Sequence, residues 1–182
     1  YAESIDAKCI VTSHAHQRAI DRVAEAMIEI ERDTQRRIDV VLAIQGDEPL
    51  LHPKMLHQCA QPLFSDTAAY KITNLANTIT DLSELDDSNV VKVVVDMNNN
   101  ALYFSRHPIP WHKTDPATVI ALKQLGILGF VRDELLNYVS MVSSPLENYE
   151  SVDMLRILEH GGNVHMVLTD YRSMGVDSPA DL

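Results

Sequence analysis

A run of five apolar residues, Val40–Ile44, is the feature that most constrains how this chain can fold. Because the run is continuous and rich in β-branched residues, it predicts a strand buried on both faces in the middle of a parallel sheet. Gly46 ends the run, so that Asp47 and Glu48 follow directly after the strand. In an open α/β sheet, ligands bind at the carboxyl ends of the strands. A carboxylate at this position can hold a hard cation such as Mg²⁺, or it can simply cap the next element.

Periodicity and turn signals divide the rest of the chain into alternating strands and helices. Ser144, Pro145 and Glu147 match a capping box at a helix start, and the turn signal at residues 98–100 joins two strands into a hairpin. Further strands are predicted at residues 8–12, 68–78, 90–95, 101–105, 122–131 and 164–168, and helices at residues 16–31, from residue 53, at 133–141 and at 145–160. This alternation predicts a single α/β domain over residues 1–182. The hairpin and the Pro-rich loop after it predict a small dimerisation lobe at about residues 89–120.

The composition excludes several classes of function. The net charge is -11 at pH 7, which argues against binding to nucleic acid or to an anionic membrane surface. No apolar run reaches the length of a transmembrane helix, and no secretory signal is visible. Cys9 and Cys59 are far apart and lack metal-binding spacing, so both are predicted to be buried thiols. We therefore expect a soluble, cytoplasmic protein without membrane insertion.

Short motifs spread along the chain carry a resemblance to a known family. They read IQGDEPL at residues 44–50, NVVKVV at 89–94, ALYFSR at 101–106, PIPW at 108–111, LGI at 125–127, SPLE at 144–147, LRILEHG at 155–161 and GVDSPADL at 175–182. In this order, and over nearly the whole chain, the set resembles the CMP-Kdo synthetase family, the 3-deoxy-manno-octulosonate cytidylyltransferases. No single motif is decisive, whereas the ordered set is very specific.

The resemblance implies both a fold and a reaction. The fold is a layered nucleotidyltransferase type, a Rossmann-like mixed sheet with helices on both faces. In the reaction, CTP and a 3-deoxy acidic sugar (Kdo or a Kdo-like sugar) give a CMP-sugar and pyrophosphate, for the synthesis of cell-surface polysaccharide. Asp47 and Asp177 match the two family aspartates that hold Mg²⁺ and are the implied catalytic residues, and Gln45 matches the glutamine that contacts the sugar. Since family members pair through the small lobe, a homodimer is implied as well.

The segment that the family uses near the nucleotide is altered in this chain. Asp21 and Arg22 match the family's T-S-x-x-H-x-S-G-T-D-R segment, and together with Arg18 they are the candidate nucleotide-binding residues. Arg18, Ala19 and Ile20 stand where the family has Ser-Gly-Thr, a small loop that approaches the cytosine base. The replacement closes space and removes a hydroxyl at the point of nucleotide recognition.

The candidate substrate-binding residues also depart from the family pattern. Besides Gln45, they are Arg106, Lys113, Gln124 and Asp153. Lys113 stands in place of an arginine, which removes a bidentate grip on a carboxylate. The other replacements are Gln124 for a histidine, Leu128 for a tyrosine, Asp153 for a glutamate and Met154 for a glutamine. Five changes in one pocket, with the scaffold motifs intact, predict a different sugar or a site that has decayed. For Arg106, an exposed salt bridge is the alternative to a ligand contact.

Two classes of function stay open on the sequence. The chain is a Mg²⁺-dependent cytidylyltransferase for Kdo or another acidic sugar such as a nonulosonate, or it is a catalytically silent relative that serves as a binding or scaffold subunit. The pair of Asp47 and Asp177 favours the enzyme, whereas the changes at Arg18 and in the sugar pocket favour the silent relative. The family's N-terminal strand and its Gly-Lys phosphate loop have no counterpart in the sequence. We therefore expect a longer natural chain in which Tyr1 is not the first residue.

Overall fold

The computed structural model describes residues 2–64, 70–111, 113, 121–173 and 175–176. Within these ranges the strands are β1 (Val40–Ile44), β2 (Ile72–Thr78), β3 (Lys92–Val95), β4 (Ala101–Ser105), β5 (Leu122–Val131) and β6 (His165–Leu168). The helices are α1 (Ala19–Thr34), α2 (Pro53–Ala60), α3 (Ser83–Asp86), α4 (Arg132–Ser140), α5 (Pro145–Glu150) and α6 (Met154–Glu159), with short 3₁₀ segments at Ala2–Ile5 and Gln61–Phe64. None of the described helices is both long enough and apolar enough to cross a membrane.

The described strands form one mixed sheet in which β5 is the central strand. The strand order is β4-β3-β5-β2-β6, and β1 also pairs with β5. β1, β2 and β3 run antiparallel to β5, whereas β6 runs parallel to β2. β1 lies beside the second half of β5, from Ile127 to Val131, while β3 lies beside Leu122 and Lys123. The expectation of a mixed sheet is confirmed.

The structure corrects the environment predicted for β1. Its bounds agree with the apolar run, but its pairing among the described residues is antiparallel, to β5 alone, and not within a parallel sheet. It is also less buried than expected, because Ala43 is 4% exposed while Ile44 is 43% exposed. The enclosed position belongs to β5, with which three strands pair. An apolar run identifies a strand, but the neighbours of that strand depend on contacts far away in the sequence.

Two apolar cores cover the two faces of the sheet. Because successive side chains of a strand point to opposite faces, β5 contributes Phe130 to one core and Ile127 to the other. Helices α1, α4 and α6 pack in the first core. Helix α2 packs in the second through Met55 and Cys59. The prediction of helices on both faces is confirmed.

Other local predictions need correction. The helix expected over residues 145–160 is two helices, α5 and α6, because Ser151 between them adopts a left-handed backbone with a φ of 53°. Residues 8–12 form no strand but lead into a loop that side chains of α1 hold in place. Cys9 is exposed rather than buried, whereas Cys59 is buried as expected. Burial raises the pKa of the Cys59 thiol to about 11, so this thiol is protonated at neutral pH.

The predicted hairpin is present and is continuous with the main sheet. β3 and β4 pair around a turn in which Asn99 has a left-handed backbone with a φ of 60°. β3 pairs with β5 as well, so the hairpin extends the sheet at one end. Residues 112 and 114–120 of the expected dimerisation lobe lie outside the described residues. The role of this lobe in dimerisation stays a prediction.

An ion pair joins α1 to α4 at the edge of the first core. Arg132 donates from Nε and Nη2 to the two carboxylate oxygens of Glu31, at 2.8 and 2.7 Å. The Ile38 amide donates to Glu31 Oε1 at 2.8 Å. These hydrogen bonds from Arg132 and Ile38 lower the pKa of Glu31 to about 2.

We predict that Glu31 makes the stability of the fold depend on pH. Its pKa in the folded chain lies below the ordinary value of 4.5, so the stabilisation is present above pH 4.5 and is lost as the pH falls towards 2. Glu31→Gln should lower the urea midpoint at pH 7 and flatten its decline over that range. The control is Glu29→Gln, whose carboxylate pairs with Arg32 within the same helix. Equal pH profiles for the two variants would contradict the prediction.

Candidate active site

A cleft of about 360 Å³ opens at the carboxyl end of β1. It is lined by the segment after β1, the loop before β3, β5 and the residues between α5 and α6. The predicted site residues that line it are Arg18, Gln45, Asp47, Arg106, Gln124 and Asp153. Lys113 is exposed and is not among the residues that line the cleft. Asp177 lies outside the described residues.

Asp47 has a carboxylate oxygen to which no described group hydrogen-bonds. Its Oδ1 is buried and has no hydrogen-bond partner among the residues described, which is a costly state for a carboxylate unless a cation or a donor binds it. The Asp47 carbonyl accepts a hydrogen bond from the Val176 amide at 2.9 Å. The chain therefore returns to the end of β1 one residue before Asp177, and the proposed pairing of the two aspartates stays a prediction.

Glu48 fixes the end of β1 against β5, a role that the sequence did not reveal. Its Oε1 accepts a hydrogen bond from the Gly126 amide at 2.8 Å, and its Oε2 accepts one from the Ser173 hydroxyl. The Gln45 amide donates to the Gly126 carbonyl at 2.8 Å. A Cβ at Gly126 would lie 3.0 Å from Gln45 Cβ and 3.0 Å from Glu48 Cγ, so a glycine permits this close approach. Gln45 thus has a fixed place on the cleft wall.

Gln124 is held by a buried side-chain amide. Its Nε2 donates to Asn74 Oδ1 at 2.6 Å, and Asn74 Nδ2 donates in turn to the carbonyls of Leu125 and Ile127, at 2.9 and 3.0 Å. Asn74 is 0% exposed, and its hydrogen bonds to β5 fix the orientation of the Gln124 amide. The cleft wall therefore carries at this position a side-chain amide that is neutral at any pH.

Arg106 contacts backbone carbonyls of the cleft wall. Its Nε donates to the Glu150 carbonyl and its Nη1 to the Ser88 carbonyl, both at 2.7 Å. The Arg106 amide donates to Glu150 Oε2 at 2.8 Å. The side chain thus joins the hairpin to the end of α5 instead of forming the exposed salt bridge considered from the sequence. Its contact with a substrate stays a prediction.

Lys92 is a fully buried lysine at the start of β3, and its role was missed from the sequence. Its Nζ donates to the carbonyls of Asp87, Val90 and Arg106 at 2.8, 2.7 and 2.6 Å, which uses all three ammonium protons. Burial lowers the pKa of Lys92. Because Val90 and Arg106 line the cleft, Lys92 fixes this part of its wall. The sequence feature that could have indicated this role is the position of Lys92 as a single charged residue within an apolar strand.

Five charged side chains of α1, α5, α6 and their flanks form what we name the charge cluster: Arg18, Asp21, Glu147, Asp153 and Arg156. Arg156 binds Glu147 through two hydrogen bonds, from Nη2 to Oε1 at 2.6 Å and from Nε to Oε2 at 2.9 Å. Arg18 lies between two carboxylates. Its Nε is 3.4 Å from Glu147 Oε1, and its Nη1 is 3.5 Å from Asp153 Oδ1.

Two carboxylates of the charge cluster differ in how they are neutralised. Burial acts to raise the pKa of Glu147, but the hydrogen bonds from Arg156 and from the Ser144 amide outweigh burial, and the pKa lies below its ordinary value. Asp153 has only the longer contact with Arg18 among the ion pairs of the described residues. Burial raises the pKa of Asp153 above its ordinary value. The strong hydrogen bonds that hold Glu147 ionised thus have no counterpart at Asp153 among the described residues.

The other two candidate nucleotide-binding residues do not line the cleft. Asp21 lines a neighbouring cavity of about 720 Å³, and Arg18 lines both spaces. Arg22 donates from Nη1 and Nη2 to the carbonyls of Ser13 and His16, at 2.9 and 3.0 Å. Arg22 thus anchors the loop before α1. A contact of Asp21 or Arg22 with a nucleotide stays a prediction.

Comparisons with known proteins assign the chain to a family. The family model described as cytidylyltransferase matches residues 1–167. The 3-deoxy-manno-octulosonate cytidylyltransferase of Geobacter metallireducens is 37% identical over 182 residues, which cover 94% of this chain and 69% of that protein. The enzyme of the same name from Solibacter usitatus is 38% identical over 181 residues, which cover 100% of this chain and 69% of that protein. The chain belongs to the 3-deoxy-manno-octulosonate cytidylyltransferase family.

A solved structure agrees with this assignment. A CMP:2-keto-3-deoxy-manno-octonic acid synthetase complexed with CTP matches the fold with a TM-score of 0.84 and 32% identity, over 98% of this chain and 70% of that one. An inositol-1-phosphate CTP transferase from T. maritima matches with a TM-score of 0.53 and 17% identity, over 88% and 58%. The second likeness concerns the fold alone.

Of the departures from the 3-deoxy-manno-octulosonate cytidylyltransferase pattern that the sequence placed in the sugar pocket, Gln124, Leu128 and Asp153 line the cleft. Met154 is instead fully buried in the apolar core at the start of α6, and not in the predicted sugar pocket. Asp153 contacts Arg18, which is itself a departure, at 3.5 Å. Asp153, which is shorter than the family glutamate, thus pairs with Arg18, which is longer than the family serine.

We predict that Lys92 is required for the stability of the cleft wall. Lys92→Met would remove the donor from the carbonyls of Asp87, Val90 and Arg106, at about 1–3 kcal/mol for each carbonyl that water does not reach. The free energy of unfolding from urea titration should therefore fall by more than about 2 kcal/mol. The matched control is Lys54→Met on α2, where the lysine is exposed and the change should stay within about 0.5 kcal/mol. Equal stability of the two variants would contradict the role assigned to Lys92.

Proposed function

We propose that the chain transfers CMP from CTP to a 3-deoxy acidic sugar, giving a CMP-sugar and pyrophosphate. The observation that carries the proposal is the cleft, where Gln45, Asp47, Gln124 and Asp153 line one space although they come from separate segments. The family membership supports the reaction class. The solved synthetase with bound CTP supports the nucleotide, and the names of the relatives support the class of acceptor.

The chemistry of the cleft suits such a transfer. Phosphoryl transfer depends on positioning and on neutralising negative charge, and it needs no covalent nucleophile. Arg18, Arg106 and Lys123 line the cleft and bring positive charge to it. Gln45 and Gln124 are neutral amides suited to the hydroxyls of a sugar. Since the departures Gln124 and Asp153 line the cleft, we propose that the acceptor is bound through contacts that differ from those of Kdo in the family.

We also propose that the site uses Mg²⁺. The buried Asp47 Oδ1, which has no hydrogen-bond partner among the described residues, fits a hard divalent cation. Asp47 and Asp177 would hold the ion, since Mg²⁺ takes few protein carboxylates and keeps sites for water and substrate phosphates. When bound, the ion neutralises negative charge on the phosphates during the transfer.

The test is an assay of the full-length protein, with any residues that precede Tyr1, in the presence of CTP, Mg²⁺ and a series of 3-deoxy acidic sugars, with the products followed by ³¹P NMR. Asp47→Asn should lower kcat roughly 10²–10³-fold, the range for loss of one preorganised electrostatic group. It should also weaken Mn²⁺ binding measured by EPR. The control Asp39→Asn changes an aspartate whose side chain is 82% exposed and should alter neither quantity. If the wild-type chain transfers CMP to none of these sugars, the catalytically silent relative is favoured, since Arg18 fills space at the cleft.

We further propose a homodimer that forms through the hairpin and the loop after it. Met97, Leu102 and Trp111 are 99%, 61% and 83% exposed, and a second copy would remove this apolar surface from water. Light scattering at micromolar concentration should give twice the chain mass of 20.4 kDa. Trp111→Ala should weaken the dimer, whereas Phe64→Ala, at an aromatic residue that is 66% exposed elsewhere, should not. A monomer mass for the wild type would contradict this proposal.

A further inference from the structure

Transfer of CMP to a sugar hydroxyl releases a proton, and a base in the cleft accelerates the step by accepting it. The carboxylates that line the cleft are Asp47, Glu48 and Asp153, and none of its described lining residues is a histidine. Glu48 already accepts hydrogen bonds from Gly126 and Ser173. Asp47 is the residue that we propose for the cation. Of the three carboxylates, Asp153 is therefore the one that is available to accept the proton.

Asp153 has the surroundings of a general base. Its side chain is 14% exposed, and its contact with Arg18 is an ion pair at 3.5 Å. The backbone at Asp153 is fixed, because its carbonyl accepts a hydrogen bond from the Arg156 amide at 3.2 Å. A carboxylate that is enclosed, ionic and loosely paired can accept a proton without first giving up a strong hydrogen bond.

The charged groups around Asp153 set its proton affinity. The groups that face it are Arg18 and Asp21 at the start of α1, Tyr138 of α4, Glu147 of α5 and Arg156 of α6. Burial raises the pKa of Asp153, and the two acidic neighbours act in the same direction. Arg18 and Arg156 lower it, with Arg18 the stronger of the two. Arg156 is bound to Glu147 by two hydrogen bonds, so Arg18 is the partner that tunes Asp153.

We propose that Asp153 is the general base of CMP transfer and that Arg18 sets the pH at which it works; this rests on the proposed function. The acceptor hydroxyl oxygen forms a bond to the α-phosphorus of CTP while the bond from that phosphorus to the oxygen bridging to the β-phosphorus breaks. Pyrophosphate leaves with the electron pair of the broken bond. The hydroxyl proton passes to the Asp153 carboxylate, which later releases it to water.

The first test is the dependence of kcat on pH. Asp153→Asn keeps the shape of the side chain and should lower kcat roughly 10²–10⁴-fold, the range for loss of a general base, with little change in the KM for CTP. Arg18→Gln removes the positive charge and should move the acid limb of the profile to higher pH. Arg18→Lys keeps the charge and should leave the limb near its wild-type position. Arg37→Gln, at an arginine whose side chain is 59% exposed, is the control and should change nothing.

The second test titrates Asp153 without turnover, by carboxyl ¹³C NMR with Asp153→Asn for assignment. Asp153 should titrate above 3.8, the ordinary value, and higher again in Arg18→Gln. If the wild type transfers CMP and Asp153→Asn keeps kcat within roughly threefold, the base role is overturned and the proposed function stands. Titration of Asp153 at or below the ordinary value of 3.8 would also overturn the base role and leave the proposed function standing. A full-length wild-type protein, with any residues that precede Tyr1, that transfers CMP to no 3-deoxy acidic sugar overturns both proposals.

Discussion

The pairing of β5 with three neighbours is the constraint on which the rest of the structure depends. Backbone groups of a buried strand must find hydrogen-bond partners, and β5 finds them in β2 along one edge and in β3 and then β1 along the other. Between those two neighbours, the Gln124 amide donates to the Val91 carbonyl, and the Gly126 carbonyl accepts a hydrogen bond from the Gln45 amide. The cleft opens at this change of neighbour. The candidate active site is thus a gap between two strands that share one edge of a third.

Such a gap must be held open by groups other than strand pairing. Lys92 and Arg106 donate to carbonyls of the loop before β3, and Arg106 also donates to a carbonyl of α5. Among the described residues, these segments are not paired with the strands of the sheet. A buried cation is costly unless its donors are satisfied, and the three carbonyl contacts of Lys92 satisfy its ammonium. On the facing wall, Glu48 binds the Gly126 amide. Charged side chains therefore fix both walls of the cleft, and β5 lies between these walls.

Sequence reasoning succeeded where the controlling interactions are local. The bounds of β1, β4 and β5 agree with apolar runs that end at turn signals. Sequence reasoning failed where the structure depends on contacts between residues that are far apart in the sequence. The central position of β5 depends on which strands pair, and a continuous apolar run does not contain that information. The break at Ser151 was missed because the capping box at Ser144 is also compatible with one long helix. In the fold, Arg18 donates to the Ser151 hydroxyl and to the Glu147 carbonyl.

The candidate site divides in the same way. Gln45, Asp47, Gln124 and Asp153 could be placed by the family resemblance, and they share one cleft. The roles of Glu48 and Lys92 depend on partners from other segments, so motif matching gave neither of them a function.

The contact between Arg18 and Asp153 bears on whether the cleft is functional or decayed. The charge cluster holds two arginines, Arg18 and Arg156, against three carboxylates, Asp21, Glu147 and Asp153. With a serine at position 18, as in the family pattern, only one arginine would face three buried or half-buried carboxylates. The arginine at position 18 supplies a charge, and the aspartate at position 153 leaves room for its longer side chain. The two departures therefore complement each other in side-chain length, and Arg18 adds a positive charge that a serine would not supply. An ion pair of this kind satisfies the enclosed carboxylate of Asp153 whether or not a ligand binds, so CMP transfer itself, and not the pairing, separates an active site with altered contacts from a silent relative.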